Sequence, residues 1–471
     1  CSARSPSMRF TAPSQPTDLP TMNTPSHDVS VAASHAPPEL KKFLRPLHLW
    51  AIAVGLVISG DYFGWNFGLK ETSPLGMLIA VLFVTLMYVC FIFSYTELST
   101  AIPHSGGPYA FARRALGPFG GLIAGVATLL EFVFAPPAIA LAIGSYVHFR
   151  MPQFGKIEVA VLMYLIFAAL NCWGVELAVT FELFVTALAV FELLLFFGIC
   201  GPHVKLSNLL TQPLLPRGVS GIFAALPFAI WFYLALEGVA MSAEEVVSPE
   251  RDIPRGYIAG LCTLVVLALG TLICTSGVTT TANLTQDESP LPRAMATVLT
   301  PDHIMTHLMV YIGLFGLIAS FHGIMMGYSR QVFALARGGY LPSFLSYLHP
   351  KRKTPVWAVI VPGLVGLVVV LLDKTEQAIT LSSIGATILY VVSMVSLLVL
   401  RKREPDLRRP FHAPLFPVFP LVALSLAGVC LVAVVSSQPR LALLAALLFA
   451  LAIVYYQVIA RHRVTATNSK L

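Results

Sequence analysis

Long apolar segments alternate with short polar ones along most of the chain, from residue 48 to residue 460. An α-helix needs about 20 residues to cross the roughly 30 Å hydrocarbon core of a bilayer. Segments of about that length lie at 48–69, 74–99, 119–147, 157–174, 177–200, 221–241, 256–278, 304–329, 355–373, 377–400, 414–436 and 440–460. The pattern predicts an all-α integral membrane protein with twelve transmembrane helices.

The two ends of the chain lack this pattern. Residues 1–46 are rich in serine, proline and threonine, which predicts a disordered tail, and residues 464–471 form a short polar tail. A secretory signal is not predicted, because no apolar stretch precedes a small-residue cleavage site. The large lysine and arginine clusters, at 330–353 and 401–409, share one side of the membrane with the N-terminus. The positive-inside rule therefore predicts that both termini are cytoplasmic.

The composition narrows the class of protein. Hydrophobic residues make up 56% of the 471 residues and charged residues 11%, whereas an average soluble protein carries about 25% charged residues. This excludes a water-soluble enzyme, a disordered regulator and a nucleic-acid binder, and the net charge of +7 reflects membrane topology. The seven cysteines contain no CxxC pair, and His303 and His307 have no third ligand nearby. Neither a disulfide framework nor a metal site is therefore predicted.

Two spans carry signals of a broken helix. The first contains the run 59–64, SGDYFG, and the sixth contains Pro227 followed by the run 235–238, ALEG. Backbone groups freed by a break are tolerated in hydrocarbon only where they line an enclosed cavity. These spans begin two possible five-helix halves, and breaks at corresponding positions indicate a transporter binding site. Glycines that only allow close helix packing are the alternative.

Five acidic residues lie inside predicted spans: Asp61, Glu131, Glu182, Glu192 and Glu237. Each costs about 2.5–3.5 kcal/mol at the bilayer centre, and no lysine or arginine lies deep in a span. Such acids take up a proton or bind a cation, which suits a carrier of an organic cation or of protons. Asp61, Glu131 and Glu237 are predicted to face a substrate, and the roles of Glu182 and Glu192 stay open. A protonated carboxyl bonded to a neighbouring helix carbonyl is the alternative for each.

Four further side chains are candidates for the site. Tyr62 and Trp231 lie beside the breaks and are predicted to cover the cargo, since an ammonium group over an aromatic face gains about 0.5–2 kcal/mol. Lipid-facing packing is the alternative. In span eight, Ser320 and His322 are candidates for ion coupling, through a hydroxyl that binds sodium or an imidazole that carries a proton. A structural hydrogen bond is the alternative for His322.

Three motifs resemble those of the amino acid–polyamine–organocation (APC) superfamily. They are ELSTAIPHSGGPYAFARRALG at 97–117, EEVVSPERDIP at 244–254 and SRQVFALARGGYLP at 329–342. The resemblance covers about residues 45–460. It implies the APC fold, a five-plus-five inverted repeat at 47–400 with discontinuous helices 1 and 6, followed by two additional transmembrane helices at 401–463. It also implies alternating access around a site at the bilayer midplane.

The run 58–67, ISGDYFGWNF, is similar to the ethanolamine permease branch of this superfamily. The superfamily usually has Gly-Ser-Gly at the first break, where exposed backbone N–H groups hold the carboxylate of an amino acid. Here the motif aligns with Ser59, Gly60 and Asp61, so an acid replaces the third glycine. The resemblance therefore implies a cargo amine without a carboxylate, because Asp61 repels a second negative charge.

The resemblance also assigns roles on helices three and six. Glu131 falls where relatives place a pocket residue, Trp231 matches a gating aromatic, and Ala235 replaces the usual break glycine. Glu237 matches a glutamate that is implicated in proton linkage in related exchangers. The lysine that some proton-coupled relatives carry in helix five is absent from residues 177–200.

The expected function is that of a permease importing a small organic amine, ethanolamine above all, by alternating access. An amino acid permease or exchanger of the same superfamily and a non-transporting nutrient sensor are the alternatives. An enzyme is not expected, because no nucleophile–base pair or metal constellation is present. No cofactor is expected beyond a coupling proton or sodium ion. The expected partners are the amine and membrane lipid, without nucleic acid, for a monomer or homodimer in the cell membrane, the inner one in a bacterium.

Overall fold

The computed structural model describes residues 42–173 and 178–468. Within these ranges the chain is helical, apart from turns, extended linkers and one isolated parallel bridge between Leu44 and Val246. The α-helices are α1 (Pro46–Val57), α2 (Ser59–Tyr62), α3 (Pro74–Ala101), α4 (Pro108–Arg150), α5 (Lys156–Trp173), α6 (Ala178–Cys200), α7 (Leu206–Leu209), α8 (Gly218–Ile230), α9 (Pro249–Val278), α10 (Thr281–Leu284), α11 (Pro290–Val298), α12 (Ile304–Arg337), α13 (Val356–Leu371), α14 (Thr375–Arg403), α15 (Val418–Ser437), α16 (Pro439–Tyr455) and α17 (Arg461–Asn468). Segments of 3-10 helix at Trp65–Lys70 and Leu236–Glu245 follow α2 and α8.

Ten helical stretches of the described residues are long and apolar enough to cross a membrane. They are Pro46–Lys70, Pro74–Ala101, Pro108–Arg150, Lys156–Trp173, Thr180–His203, Pro249–Val278, Ile304–Arg337, Thr375–Arg403, Val418–Ser437 and Pro439–Val464. The helices α8 and α13 are apolar but shorter. α8 overlaps the predicted sixth span, and α13 lies within the predicted ninth span. The all-α prediction is therefore confirmed for the part of the chain that the structure describes.

The ends of the described chain differ from the sequence prediction. Residues 42–46, assigned to the disordered tail, are ordered, because the N–H groups of Phe43 and Leu44 donate to the carbonyl of Glu245 at 2.9 and 3.0 Å. The side chain of Leu44 is buried, so a single apolar residue anchors this segment without any periodic pattern. At the other end, α17 extends into the predicted polar tail 464–471 as far as Asn468.

A bend at Gly117 separates two parts of α4. Gly117 has φ 81° and ψ −172°, and Pro118 follows it. Glycine tolerates this conformation because it has no Cβ. The helical turns from Pro108 to the bend lie outside the predicted third span, 119–147, which begins just after it. The motif at 97–117, which joins the predicted second and third spans, is therefore partly helical.

The inner helices of the bundle carry the polar residues. α4 packs against α14, α12 and α5, and α1 packs against α9, α6 and α12. α14 approaches α4 closely at Gly385, where an added methyl group would lie 2.6 Å from the backbone N of Glu131. α16 buries only Ala445, and an apolar helix exposed on most of its surface is typical of one that faces lipid.

The two predicted breaks are present. After α2, Phe63 is extended and Gly64 has φ 92°, before the chain continues as 3-10 helix. In the sixth span α8 ends at Ile230, and Ala235 has φ 75° at the start of the following 3-10 segment. This break begins at residue 231, earlier than the predicted run 235–238. Pro227, a predicted break signal, lies inside α8, where its carbonyl accepts a hydrogen bond from Ser383.

Candidate functional site

The two breaks pack directly against each other. A methyl group added at Gly60 would lie 2.3 Å from the carbonyl oxygen of Trp231, and one added at Gly64 would lie 2.4 Å from Nε1 of its indole. The rings of Phe63 and Trp231 meet edge to face with centroids 5.6 Å apart. Glycine at both positions therefore allows the close contact between the first and sixth spans.

Asp61 lies at the centre of this contact. Its side chain is fully buried, and neither carboxylate oxygen has a hydrogen-bond partner among the described residues. The hydrogen bonds of Asp61 involve its backbone, including the carbonyl, which accepts from Trp65 Nε1 at 3.2 Å. The acid is thus neither directed to the outer surface of the bundle nor paired with a base of the described chain.

The backbone N–H groups around Asp61 already have acceptors. The N–H of Asp61 donates to the carbonyl of Ile58 at 3.0 Å, and that of Phe63 donates to the carbonyl of Ser59 at 3.2 Å. The N–H of Gly64 donates to Oδ1 of Asn66 at 2.9 Å. In this conformation these three donors are not available to a carboxylate, although the resemblance implies that role for the first break.

Glu131 and Glu237 meet at the second break. Glu131 Oε1 accepts from the N–H of Ala235 at 3.1 Å, and the Glu237 carboxyl group is near enough to interact with it electrostatically. Glu131 Oε2 and Glu237 Oε1 are buried without another partner in the described chain. Two neighbouring carboxylates repel each other, and a proton or another cation between them removes the repulsion.

Tyrosines from three helices extend this polar group. Tyr390 Oη lies 3.5 Å from Glu237 Oε2 and 2.5 Å from Tyr88 Oη. Tyr257 Oη donates to the carbonyl of Glu237 at 3.0 Å. Hydroxyl groups of α3, α9 and α14 therefore surround the second break. The sequence signal that could have indicated them is a tyrosine inside an otherwise apolar span.

Tyr62 does not face the same way as Asp61. Its hydroxyl donates to Glu192 Oε2 at 2.5 Å, and its ring packs edge to face on Tyr146 at 6.3 Å. A methyl group added at Gly316 would lie 2.6 Å from the Tyr62 ring. The ring thus lies between α6 and α12. Glu192, whose role the sequence left open, is its partner.

The remaining predicted residues divide into two groups. Ser59 Oγ and Ser320 Oγ are 2.8 Å apart, and Ser320 Oγ donates to the carbonyl of Leu56 at 2.6 Å. This places Ser320 beside the first break. His322 instead shares a 3.0 Å hydrogen bond with Asn171 of α5. This is the kind of structural hydrogen bond named above as the alternative to ion coupling. Trp231 is buried, and its Nε1 has no partner in the described residues.

Polar contacts close both ends of the site. At one end Asn66 Nδ2 donates to the carbonyls of Leu284 and Asp287 at 2.7 and 2.9 Å. At the other end Arg330 forms a 2.8 Å ion pair with Glu245. Asp61, Glu131 and Glu237 are fully buried between these two contacts.

Glu244, the neighbour of Glu245 in the chain, forms polar contacts at the same end of the bundle. Glu244 Oε1 accepts from both the N–H and the hydroxyl of Ser105 at 2.8 Å, and His104 is 3.9 Å away. Burial alone would raise the pKa of Glu244, but the Ser105 hydrogen bonds and His104 hold this pKa below its ordinary value of 4.5. The contact therefore favours the ionised carboxylate.

Two facing helix breaks around buried, unpaired acids are the arrangement expected of a membrane carrier. The family profile described as amino acid permease matches residues 48–467. The chain belongs to this amino acid permease family, which confirms the superfamily resemblance, and it is a multi-pass membrane transport protein.

Three relatives show the range of the family. An uncharacterized transporter of Rhizobium meliloti (strain 1021) is 30% identical over 421 residues, covering 86% of this chain and 90% of the relative. The branched-chain amino acid permease BcaP of Bacillus subtilis (strain 168) is 25% identical, covering 84% and 88%. The vacuolar cationic amino acid transporter 2 of Arabidopsis thaliana is 25% identical, covering 78% of this chain and 61% of that protein. All three are named as transporters or permeases.

Proposed function

We propose that the protein is a secondary active permease that imports a small organic amine, with ethanolamine as the leading cargo, across the cell membrane. The observation that carries the proposal is the buried carboxylate of Asp61 at the first break, whose two oxygens have no partner among the described residues. A buried negative charge of this kind is tolerated where a mobile cation binds to it and balances the charge.

The charge around the break favours a cation. Asp61, Glu131 and Glu237 are fully buried, and none of them forms an ion pair with a base of the described chain. A primary ammonium group offers three hydrogen-bond donors to such oxygens. Trp231 lies over Gly64 beside the break, and an ammonium group near an indole face gains about 0.5–2 kcal/mol.

The same residues disfavour a cargo with its own carboxylate. A zwitterionic amino acid would bring a negative charge toward Asp61, and the N–H donors of Asp61, Phe63 and Gly64 are already bonded within the chain. Ethanolammonium lacks that charge. Its hydroxyl is small enough to bond to Ser59 or Gly60 near the first break, or to the backbone at Ala235 near the second.

The transport cycle is proposed to follow the APC fold. Residues 47–400 would form the five-plus-five inverted repeat and residues 401–463 two additional helices, with twelve spans and both termini in the cytoplasm. The support is that α1 and α8, which begin the two halves, are the helices interrupted at residues 58–64 and 231–235. Alternate opening of the two closed ends would expose the site to each side. An inside-negative potential favours entry of a cation by about 2.3 kcal/mol per 100 mV.

Uptake of labelled ethanolamine into proteoliposomes tests this function. We expect Asp61→Asn to lose at least about 30-fold in affinity, because leaving one member of a buried charge pair alone costs about 2–5 kcal/mol. Asp302→Asn, the same change at an exposed loop acid, is the matched control and should transport normally. Equal ethanolamine affinity in folded Asp61→Asn and wild type would contradict the proposal.

An amino acid permease or exchanger is the second candidate, because the family includes the branched-chain amino acid permease BcaP. Labelled leucine and arginine are therefore measured beside ethanolamine. If leucine accumulates and displaces ethanolamine, the amine assignment is wrong and the second candidate stands. Binding of ethanolamine without any uptake would instead favour a nutrient sensor.

A further inference from the structure

Glu182 of α6 lies against the half-helix that leads into the first break. A methyl group added at Gly55 of α1 would lie 2.2 Å from Glu182 Oε1, and one added at Gly323 of α12 would lie 3.6 Å from the same oxygen. The carboxyl group therefore rests on backbone from two other helices. Any movement of α1 away from α6 or α12 changes its surroundings.

Both oxygens of Glu182 are buried without a hydrogen-bond partner in the described chain. Beside them is a narrow cavity of about 20 Å³, which holds about one water molecule. Glu182, Ser242 and Arg330 are among the residues that line it. Arg330 lines this cavity and also forms the ion pair with Glu245, so the buried acid lies near the end of the bundle that this ion pair closes.

Charged and titratable groups of the neighbouring helices do not neutralise Glu182. On the elements packed against α6 they are His48 of α1, His203 of the 3-10 segment Gly201–His203, Glu250, Arg251, Asp252, Arg255, Tyr257, Cys262 and Cys274 of α9, Arg293 of α11, and His307, Tyr311, His322, Tyr328, Arg330 and Arg337 of α12. Within the described ranges, none of these forms an ion pair or a hydrogen bond with the Glu182 carboxyl. Arg330, which shares the cavity, pairs with Glu245.

The surroundings suit a proton better than a metal ion. Metal ions require several oxygen ligands, whereas the side chains around the cavity include Ile52, Leu56 and Met326. Thr186 Oγ1 lies near Glu182, but it donates to the carbonyl of Ala51 at 3.4 Å. A proton needs only one carboxyl oxygen and leaves a neutral group in an apolar site.

The geometry points to Glu182 as a proton-binding site whose proton moves together with the cargo, which rests on the proposed transport function. In this conformation Glu182 is a neutral acid pressed against Gly55. When the cavity end opens and α1 withdraws, water reaches the carboxyl and the proton leaves it. The empty carrier returns with Glu182 ionised, and the carboxyl takes up its next proton on the opposite side together with the cargo, so each cycle moves one proton with one amine.

The test is accumulation of labelled ethanolamine in proteoliposomes with proton, sodium and voltage gradients imposed one at a time. For wild type, one coupled proton raises the limiting accumulation about tenfold per pH unit of inward gradient. Glu182→Gln should lose this dependence while keeping exchange of internal for external ethanolamine. Glu192→Gln, a change in an acid of the same helix that is bonded to Tyr62, is the matched control and should keep the dependence.

Several outcomes overturn the inference. These are proton-driven accumulation that persists in Glu182→Gln, or wild-type accumulation that follows sodium or voltage alone. If Glu182→Gln does not fold, the external pH is followed with a dye during ethanolamine uptake by wild type. Coupled uptake must withdraw protons from the medium, so an unchanged external pH overturns the inference. If leucine is carried and ethanolamine is not, the amine proposal fails, and the same gradients applied with leucine test Glu182 independently. If neither is carried, both proposals fail.

Discussion

Replacement of Gly64 by alanine tests the close contact between the two helix breaks. Gly64 has φ 92°, and a methyl group there would lie 2.4 Å from Cδ1 and Nε1 of the Trp231 indole. Two separate penalties therefore act at one position. The first is backbone strain at a positive φ, and the second is a steric conflict with a buried ring.

Each penalty has a known size. A residue other than glycine held in a sparsely populated backbone region costs about 1–3 kcal/mol, and overpacking a well-packed core costs about 1–3 kcal/mol. The expected loss for Gly64→Ala is therefore about 2–6 kcal/mol in the free energy of unfolding.

Two other glycines provide matched controls. Gly218 has φ 58° with no atom within 4 Å of an added methyl group, so Gly218→Ala measures backbone strain alone. Gly428 of α15 also has open space around it, and its replacement by alanine should stabilise the helix by up to about 1 kcal/mol.

Unfolding titrations in detergent would compare the three variants. We expect Gly64→Ala to be less stable than Gly218→Ala by about 1–3 kcal/mol, the steric share of the loss. In a Trp231→Ala background the indole is absent and only backbone strain remains at position 64. Gly64→Ala in that background should therefore lower the free energy of unfolding by no more than Gly218→Ala does in wild type. Equal stability of Gly64→Ala and Gly218→Ala would refute the assignment of a tight contact between Gly64 and Trp231.

Two further predictions concern other parts of the bundle. Tyr62→Phe removes the 2.5 Å hydrogen bond to Glu192. Because a buried acceptor then loses its partner, the free energy of unfolding should fall by about 1–3 kcal/mol. An unchanged unfolding curve in detergent would contradict this. The lowered pKa of Glu244 means that its bonds to Ser105 stabilise the protein above the ordinary pKa of 4.5 and that this stabilisation is lost as the pH falls through the lowered value. The difference in melting temperature between wild type and Ser105→Ala should therefore be present at neutral pH and shrink under acid conditions; a difference that grows on acidification would show the sign to be wrong.

The helices could be predicted from the sequence because a bilayer requires long apolar segments whatever their partners are. The first break could be predicted as well, since Gly60 and Gly64 flank an acid within one short run. The sixth span was harder, because Pro227 is accommodated inside α8 and the break begins at Trp231, a residue with no breaking tendency of its own. At this break Trp231 packs against Gly60 and Gly64, which are distant from it in sequence.

Side-chain directions could not be predicted from the sequence. Tyr62 and Asp61 are adjacent in the chain, yet Tyr62 is bonded to Glu192 of α6 while Asp61 has no partner in the described residues. Successive residues of a helical turn point about 100° apart, and the sequence does not state which neighbour lies in each direction. The open role of Glu182 had the same cause, because its neighbour Gly55 lies on another helix.

The sequence by itself determined that this chain is a bundle of membrane-spanning helices with acids inside the bilayer, because hydrophobic length and charge act locally and need no knowledge of the fold. Only the tertiary structure decided that Glu131 meets Glu237, that Asp61 stands apart from any base of the described chain, and that Glu182 rests on Gly55. Those relations depend on helices far apart in sequence packing at particular rotations, and the energy of a buried acid depends on which atoms then surround it.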